Sequence, residues 1–367
     1  MKLERVIISG GGTGGHIFPA IAIADEIKKR NPAVEILFVG AIGKMEMEKV
    51  PAAGYKIVGL TIVGFQRRIT FSNFLLPYKI LKSLWVARSI LKNFKPQVVI
   101  GVGGYASGPT LKAASILGIP TLIQEQNSYP GKTNKLLAKK VSAICTAYDG
   151  LERFFPADKI TFTGNPVRFE MVHIDGKRQE AFDYYKLDAN KKTILIIGGS
   201  LGARTLNESM MNHYKLIVEK DVQVLWQCGK FYFSSLSEQL EGKHNPNIKL
   251  VQFIDRMDLA YALADVIISR AGAISVSELC LIKKPTILVP SPNVAEDHQT
   301  KNAMALVSKN AAILVKDKEA IENLIPTAIE LISNEQEKMK LIDEITKLGR
   351  PDATEHIVDE IEKIAKH

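Results

Sequence analysis

Short runs of β-branched and aliphatic residues alternate with helix-like patterns along the entire chain. Near-continuous apolar runs that helices separate are typical of parallel sheets covered by helices on both faces. The sequence therefore predicts an α/β fold. The predicted strands are Val6–Ser9, Glu35–Val39, Val98–Gly101, Thr121–Ile123 and Ala143–Thr146 in the first half, and Thr193–Ile197, Val222–Trp226, Lys249–Phe253, Val266–Ser269 and Thr286–Val289 in the second.

At 367 residues the chain exceeds one ordinary domain of about 150 residues, so we predict two Rossmann-like domains, 1–166 and 167–367. The polar segment that follows Thr163–Arg168 and ends near Lys192 is typical of a crossing between domains. We expect the two parallel sheets to face each other across a cleft and to bind ligands beyond the carboxyl ends of their strands. Apolar residues at helical spacing in Thr354–Lys366 predict a last helix, which could pack back on the first domain.

A segment without acidic residues extends from Lys49 to Gln124 and contains ten lysines and arginines, more positive charge than the net +9 of the whole chain. Such a field attracts phosphate groups, nucleic acid or an anionic membrane surface. The alternative is an ordinary solvated basic surface. We do not expect a nucleic-acid partner, because the chain lacks a stacking motif with interleaved aromatic residues.

No uninterrupted apolar run reaches the ~18 residues of a membrane span, and no secretory apolar region precedes the first glycine-rich turn. The three cysteines are isolated and form no CxxC pair, which is typical of a reducing compartment. We therefore expect a globular protein without disulfide bonds.

A glycine-rich turn, GGGTGGH, follows the first predicted strand and leads into the helical pattern Ala20–Lys29. Gly10, Gly12 and Gly15 formally match the dinucleotide pattern G-x-G-x-x-G. The match is weak, because the second strand ends in Phe38–Gly40 without the acidic residue that would hold a ribose. The glycines nevertheless allow a phosphate or a sugar to approach backbone N–H groups at a helix start.

Two further strand-to-turn segments occur in the second half, Gly198–Arg204 and Ser269–Glu278. Three glycine-containing turns after three strands, spread over both predicted domains, are more than folding alone requires. Glu278 falls one turn into a predicted helix that begins near Ile274. There it either caps the helix or accepts hydrogen bonds from the hydroxyls of a ribose.

At these residues the sequence resembles the MurG family of glycosyltransferases, which add N-acetylglucosamine to the lipid-linked muramyl-pentapeptide of bacterial cell-wall synthesis. The resemblance covers nearly the whole chain in the expected order, and its motifs are specific jointly rather than singly. The matching stretches are GGGTGGHIFPA (Gly10–Ala20), GVGGYASGP (Gly101–Pro109), EQNSYPGKTNK (Glu125–Lys135), TGNPVR (Thr163–Arg168), GGSLGAR (Gly198–Arg204), FIDRM (Phe253–Met257), SRAGAISVSEL (Ser269–Leu279) and VPSPNVAEDHQTKNA (Val289–Ala303).

The resemblance implies the two-domain GT-B fold, with the donor UDP-N-acetylglucosamine bound mainly by the C-terminal domain. Ile254 would bond uracil through its backbone, Glu278 would accept from the ribose, and Ser200 and Arg168 would meet the diphosphate. The helix start that would assist them consists of Ala273, Ile274, Ser275, Val276 and Ser277.

The resemblance also implies residues near the sugar and the acceptor. The donor sugar or the reacting centre would be contacted by Thr13, Gly14, Gly15, Asn127 and Gln299, and the acceptor and diphosphate side would include Gly12, Gly103, Gly104 and Tyr105. One departure is Thr300, where many relatives have a second glutamine. This departure bears on recognition of the sugar's 4-hydroxyl.

The chemistry implied is a direct displacement with inversion, in which the acceptor's 4-hydroxyl attacks an α-linked donor and forms a β-1,4 bond. His16 is the candidate general base, because the positive end of a helix dipole favours the neutral imidazole. The alternative is a histidine that only caps the helix or bonds nearby backbone, and His244 and His298 compete for the role. The chain has no Asp-x-Asp motif, so we expect no required metal or other cofactor.

Residues 73–92 form an amphipathic helical pattern. One face contains Ile80, Leu84, Ala87 and Leu91, and a second contains Phe74, Tyr78, Leu81 and Trp85, flanked by Lys82, Arg88 and Lys92. Either both faces belong to the core, or the second face rests on anionic lipid. Because the resembled enzymes use a membrane-bound acceptor, we expect a peripheral protein at the cytoplasmic face of the bacterial plasma membrane.

A sugar-nucleotide 2-epimerase is the rival prediction from the same architecture. Such an enzyme binds the same UDP-sugar but needs neither a lipid acceptor nor a basic, apolar flank.

Overall fold

The computed structural model describes residues 2–62, 76–242 and 245–366. The chain divides into two compact units, Met1–Val167 with Arg350–His367, and Arg168–Gly349. Each unit contains a parallel sheet with helices on both faces, so the predicted α/β class is confirmed. The division falls one residue after the boundary predicted at 166, and the final segment belongs to the first unit.

The sheet of the first unit has seven parallel strands within the described residues, in the order β3-β2-β1-β4-β5-β6-β7. The strands are β1 (Arg5–Ser9), β2 (Glu35–Ala41), β3 (Lys56–Leu60), β4 (Val98–Gly101), β5 (Thr121–Glu125), β6 (Ala143–Thr146) and β7 (Ile160–Phe162). The helices of this unit are α1 (Gly14–Arg30), α2 (Glu46–Ala52), α3 (Leu76–Phe94), α4 (Ser107–Ile116), α5 (Lys132–Leu137) and α16 (Ala353–Ala365).

The sheet of the second unit has six parallel strands in the part of the chain that the structure describes, in the order β10-β9-β8-β11-β12-β13. The strands are β8 (Thr193–Ile197), β9 (Gln223–Gln227), β10 (Ile248–Val251), β11 (Val266–Ser269), β12 (Thr286–Leu288) and β13 (Ile313–Leu314). The helices are α6 (Phe169–Val172), α7 (Arg178–Tyr185), α8 (Arg204–Asn212), α9 (Tyr214–Glu219), α10 (Phe233–Leu240), α11 (Met257–Leu263), α12 (Ala273–Ile282), α13 (His298–Val307), α14 (Asp317–Ser333) and α15 (Glu335–Thr346).

The strand order reverses at the centre of each sheet, between β1 and β4 in the first unit and between β8 and β11 in the second. In β1, Val6, Ile7 and Ile8 are fully buried, because helices cover both faces of the sheet. At a reversal point the loops leave in opposite directions and open a crevice at the carboxyl edge. The fold therefore brings glycine-containing loops to one such point in each unit.

Three strands were not predicted, namely β3, β7 and β13. All three lie at a sheet edge, where side chains are partly exposed. The predicted strand Lys249–Phe253 was placed too late, because β10 ends at Val251. Helix α1 begins at Gly14, earlier than predicted, because glycine weakens a helical pattern without preventing a helix start.

Helix α16 lies against α1 and completes the core of the first unit. Ile357 and Ile361 are fully buried in the same cluster as Ile23 of α1. On the outer side, the Arg30 guanidinium donates to the Asp359 carboxylate at 2.7 Å. The end of the chain is therefore part of the first unit's structure. Separately, none of the described helices is long and apolar enough to span a membrane.

Ile357→Ala should destabilise the first unit by about 2–5 kcal/mol, because it opens a cavity in a fully packed core. Hydrogen exchange should become faster in β1, α1 and α16. Lys363→Ala, an exposed change on the same helix, serves as the control and should leave exchange unchanged. Faster exchange confined to the second unit would contradict the assignment of α16 to the first.

Candidate functional site

Glu46 of α2, a buried acidic residue, stabilises the turn between β1 and α1 by accepting backbone hydrogen bonds. Its carboxylate accepts the backbone N–H of Gly12 at 2.8 Å and that of Ala41 at 3.0 Å. Gly12 therefore donates its single N–H within the protein. A contact of Gly12 with a diphosphate, as the resemblance implies, would have to use other atoms. Thr13, in extended backbone conformation, precedes the first residue of the helix.

His16 lies in the first turn of α1 and is half-buried. Its Nδ1 is 3.0 Å from the Gly11 carbonyl oxygen and 3.4 Å from the Thr13 hydroxyl. Because a carbonyl can only accept, the bond to Gly11 favours the tautomer that carries its proton on Nδ1. In the neutral ring, Nε2 then has the lone pair. A bond to nearby backbone was the alternative role predicted for His16. This bond, made by Nδ1, is compatible with His16 acting as a base through Nε2.

The loop after β4 packs against this turn. Gly103 and Gly104 adopt φ values of +93° and +86°, a region that favours glycine. A Cβ at Gly103 would lie 2.8 Å from His16 Nε2, and one at Gly104 would lie 2.3 Å from the Gly11 oxygen. Tyr105, the next residue, is 52% exposed. The structure thus brings Gly103 to the ring of His16, and Gly104 to the backbone of the turn after β1.

Asn127 follows β5 and is held by a residue that the sequence analysis missed. The buried Glu125 carboxylate accepts the Asn127 backbone N–H at 3.0 Å and its side-chain amide at 3.2 Å. The same carboxylate accepts from Gly131 and from the Asn134 amide. The sequence does contain a signal for this role. Glu125 ends an apolar strand, and a buried acidic side chain at such a position requires hydrogen-bond donors.

In the second unit, Glu278 of α12 meets Tyr261 of α11. The fully buried Tyr261 donates its hydroxyl to Glu278 Oε2 at 2.8 Å. Glu278 is the sixth residue of its helix, and the residue preceding the helix is Gly272. The alternative that Glu278 caps the helix is therefore wrong. Nothing in the pattern of the sequence indicated Tyr261 as its partner.

The electrostatic environment of Glu278 combines opposing effects. Burial raises the pKa of its carboxyl, whereas the hydrogen bond from Tyr261 and the charge of Arg168 lower it, and burial prevails. Burial likewise raises the pKa of the Tyr261 hydroxyl well above its usual value. Arg168 is half-buried within electrostatic range of Glu278. A carboxylate in this setting gains from each further hydrogen-bond donor.

The turn after β8 exposes Ser200. Its carbonyl accepts the Lys230 N–H at 3.0 Å, and a Cβ at Gly202 would lie 2.2 Å from the Cys228 oxygen. Ile254, in the turn between β10 and α11, has a buried side chain. Both predicted residues follow strands of the same sheet and therefore lie at its carboxyl edge.

Gln299 lies in the first turn of α13, where its side-chain oxygen accepts the Ser291 N–H at 2.8 Å. Before it, Glu296 and Asp297 adopt φ values of +54° and +52°, a region that costs non-glycine residues energy. Such strain is common where a loop presents a ligand-binding residue. His298 adjoins Gln299, whereas the third candidate histidine, His244, lies outside the described residues.

Helix α3 has one buried and one exposed apolar face. Ala87 and Leu91 are each 1% exposed, whereas Leu81 is 66% and Trp85 is 72% exposed. The flanking residues Lys82 and Arg88 are exposed as well. The alternative that both faces are core is wrong for the described side chains. The structure does not describe Phe74 or the side chains of Tyr78 and Ile80.

Among the described residues, no group of three or more His, Cys, Asp or Glu side chains is placed to hold a metal ion.

The sequence matches two domains of one enzyme family. Residues 6–146 match the glycosyltransferase family 28 N-terminal domain, and residues 193–357 match its C-terminal domain. A relative from Flavobacterium psychrophilum is 56% identical over all of this chain and 99% of its own length. That protein is named UDP-N-acetylglucosamine–N-acetylmuramyl-(pentapeptide) pyrophosphoryl-undecaprenol N-acetylglucosamine transferase.

Solved structures agree with this similarity. The crystal structure of Acinetobacter baumannii MurG is 30% identical, with a TM-score of 0.78 over 98% of this chain and 99% of that one. The UDP-GlcNAc 2-epimerase from Neisseria meningitidis bound to UDP-GlcNAc is 16% identical, with a TM-score of 0.67 over 98% of this chain and 100% of that one. The second likeness concerns the fold alone.

Glu278→Gln should raise the melting temperature at neutral pH, because burial disfavours the ionised carboxylate and glutamine still accepts from Tyr261. The folded protein holds the Glu278 proton more tightly than the unfolded chain does. Stability therefore falls as pH rises from the ordinary glutamate value of 4.5 through the raised folded pKa.

Melting curves of wild type and variant across acidic to neutral pH test this expectation. The two should converge at acidic pH and separate toward neutrality. Glu322→Gln, an exposed change on α14, is the control. A constant difference between Glu278→Gln and wild type at every pH would contradict the assigned cause.

Proposed function

This chain belongs to glycosyltransferase family 28, and we propose that it transfers N-acetylglucosamine from UDP-N-acetylglucosamine to the lipid-linked N-acetylmuramyl-pentapeptide, which gives the disaccharide-lipid precursor of peptidoglycan. The observation that carries the proposal is full-length identity of 56% to a relative with that name. The acceptor's 4-hydroxyl displaces UDP with inversion, and the product has a β-1,4 bond.

The second unit holds the donor in this proposal. Glu278 accepts from the ribose hydroxyls, and the bond from Tyr261 sets the direction in which its carboxylate points. Arg168 and Ser200 bind the diphosphate, Ile254 bonds uracil through its backbone, and Gln299 contacts the sugar. The proposal is supported by Ser200 and Ile254, which follow strands of one sheet, and by Gln299, which lies in the first turn of α13.

The departing diphosphate needs positive charge. We propose that the N-terminus of α12 and Arg168 supply it, and that the reaction needs no metal and no other cofactor. Partial positive charge at a helix start stabilises anions. The absence of an Asp-x-Asp motif from the sequence supports the same proposal.

The first unit binds the acceptor and supplies the base. In this proposal the neutral His16 ring, with its proton on Nδ1, presents a lone pair at Nε2, and the backbone of Gly103 packs close to that atom without a side chain. A general base must lie within hydrogen-bond reach of the proton that it removes. The glycine turns around the ring permit that approach.

A transfer assay with purified protein tests the function. The protein is incubated with radiolabelled UDP-N-acetylglucosamine and the muramyl-pentapeptide lipid, and the products are separated. Radioactive disaccharide-lipid is expected. Label recovered only in an epimerised sugar would make the protein a 2-epimerase instead.

His16→Ala should reduce turnover by ~100-fold or more, the usual contribution of a general base, and should leave donor affinity nearly unchanged. Steady-state kinetics give turnover, and calorimetric titration with UDP gives affinity. His213→Ala, a histidine of α8's C-terminal end, is the control. Full turnover combined with lost donor affinity would make His16 a binding residue.

We also propose that the exposed face of α3 rests on anionic lipid at the cytoplasmic surface of the membrane. Exposed Leu81 and Trp85 would enter the interface, and exposed Lys82 and Arg88 would meet lipid phosphates. Apolar burial and charge attraction together are what such interfacial helices use. The acidic-free segment Lys49–Gln124 adds to the attraction.

The double variant Leu81→Ala, Trp85→Ala should bind anionic vesicles at least about ten-fold more weakly, because each apolar side chain contributes about 1.5–3 kcal/mol when fully buried. Co-sedimentation with phosphatidylglycerol vesicles measures this, with and without added salt. Phe231→Ala removes a comparably exposed aromatic residue from the second unit and serves as the control. Binding that ignores both anionic lipid and salt would refute membrane docking by this face.

A further inference from the structure

Glu46 is an acidic side chain with 1% exposure that stands next to, but not in, the set of predicted site residues. A buried carboxylate is costly unless hydrogen bonds compensate it. Its two oxygens accept from two different backbone segments, Oε2 from Gly12 and Oε1 from Ala41. The carboxylate therefore joins the turn after β1 to the end of β2.

The surrounding chain is shaped to admit this carboxylate. A Cβ at Gly11 would lie 2.2 Å from the Glu46 carboxyl carbon, and a Cβ at Gly40 would lie 2.6 Å from its Cγ. Any other residue at Gly11 would also be strained by its φ of +145°. Because a larger residue at either position would overlap the Glu46 side chain, glycine at both positions makes room for it.

A glycine-rich turn at a helix start commonly receives a phosphate from a ligand. In this chain a carboxylate of the protein itself takes one of the donors of the turn, the N–H of Gly12. The turn is consequently held in its conformation before any ligand arrives.

The peptide group between Gly11 and Gly12 links Glu46 to His16. Its N–H, which belongs to Gly12, donates to Glu46 at 2.8 Å. Its C=O, which belongs to Gly11, is 3.0 Å from His16 Nδ1. A peptide group is planar, so both bonds depend on the orientation of one rigid unit. A carboxylate on the N–H side also polarises the group and makes its carbonyl a better acceptor.

We propose that Glu46 is a positioning residue that acts through the Gly11–Gly12 peptide to hold His16 in the tautomer with its proton on Nδ1. The lone pair of the neutral ring is thereby kept on Nε2. Glu46 does not touch the reacting atoms. The proposal deepens the function proposed above and rests on His16 being the base.

The test variant is Glu46→Gln, which keeps the shape of the side chain. An amide has one acceptor oxygen, so its NH₂ group must face either the Gly12 or the Ala41 N–H. The matched control is Glu48→Gln, an exposed glutamate of the same helix. The far-UV circular dichroism spectrum reports whether each variant is folded, and binding of UDP reports whether the second unit is intact.

The first measurement is independent of catalysis. Nitrogen-15 NMR of the histidine side chains, with His16 assigned by its absence in His16→Ala, reports which ring nitrogen has the proton. Wild type and Glu48→Gln should show the neutral ring protonated on Nδ1, and Glu46→Gln should show a substantial fraction protonated on Nε2. A wild-type ring protonated on Nε2, or a Glu46→Gln ring identical to wild type, would overturn the proposal.

The second measurement is a double-mutant cycle on turnover. Glu46→Gln alone should reduce turnover at least about ten-fold with little change in KM for the donor, as loss of a residue that orients a catalytic ring does. In a His16→Ala background the same change should cost less than about two-fold, because the residue through which it acts is gone. Equal losses in both backgrounds would overturn the proposal and assign Glu46 a structural role.

The two measurements separate this proposal from the proposed function. Wild-type protein that shows the Nδ1 tautomer but transfers no sugar would contradict the function and leave the effect of Glu46 on His16 intact.

Discussion

Parallel pairing places the carboxyl ends of all strands of a sheet at one edge, and the rest of the site depends on that constraint. The strand order reverses beside β1 in the first unit and beside β8 in the second. At each reversal a glycine-rich turn leads into a helix whose N-terminus lies at the carboxyl edge of its own sheet. Phosphates, hydroxyls and a neutral histidine are the groups that such an edge favours.

Buried acids give these glycine turns a defined shape. Glu46 holds the turn after β1, Glu125 holds the loop after β5, and the Tyr261 hydroxyl holds Glu278. In the first two cases a carboxylate accepts backbone N–H groups, which would otherwise need a ligand or water. In the third the carboxylate itself is oriented, so its remaining acceptor positions face a fixed direction. Preorganisation of this kind reduces the conformational entropy that is lost when a ligand binds and orders the site.

The sequence was sufficient for the α/β class, most strands and the residues of the glycine turns, because apolar periodicity and turn chemistry are local signals. The sequence could not indicate which residues that are distant along the chain form hydrogen bonds with each other. Glu46 lies 34 positions from Gly12, and Tyr261 lies 17 from Glu278. Helix α3 shows the same limit. Both of its faces are apolar in sequence, and only tertiary packing, which buries Leu91 and exposes Trp85, distinguishes them.

We propose that the second unit binds the nucleotide while the first supplies the base. Hydrogen exchange of the full chain, measured by mass spectrometry with and without saturating UDP, tests it most directly. We expect slower exchange in peptides that cover residues 198–204, 253–261 and 273–278, and unchanged exchange in the turn at residues 10–16. Protection by UDP that is centred on residues 10–16 instead would contradict this division of roles between the two units.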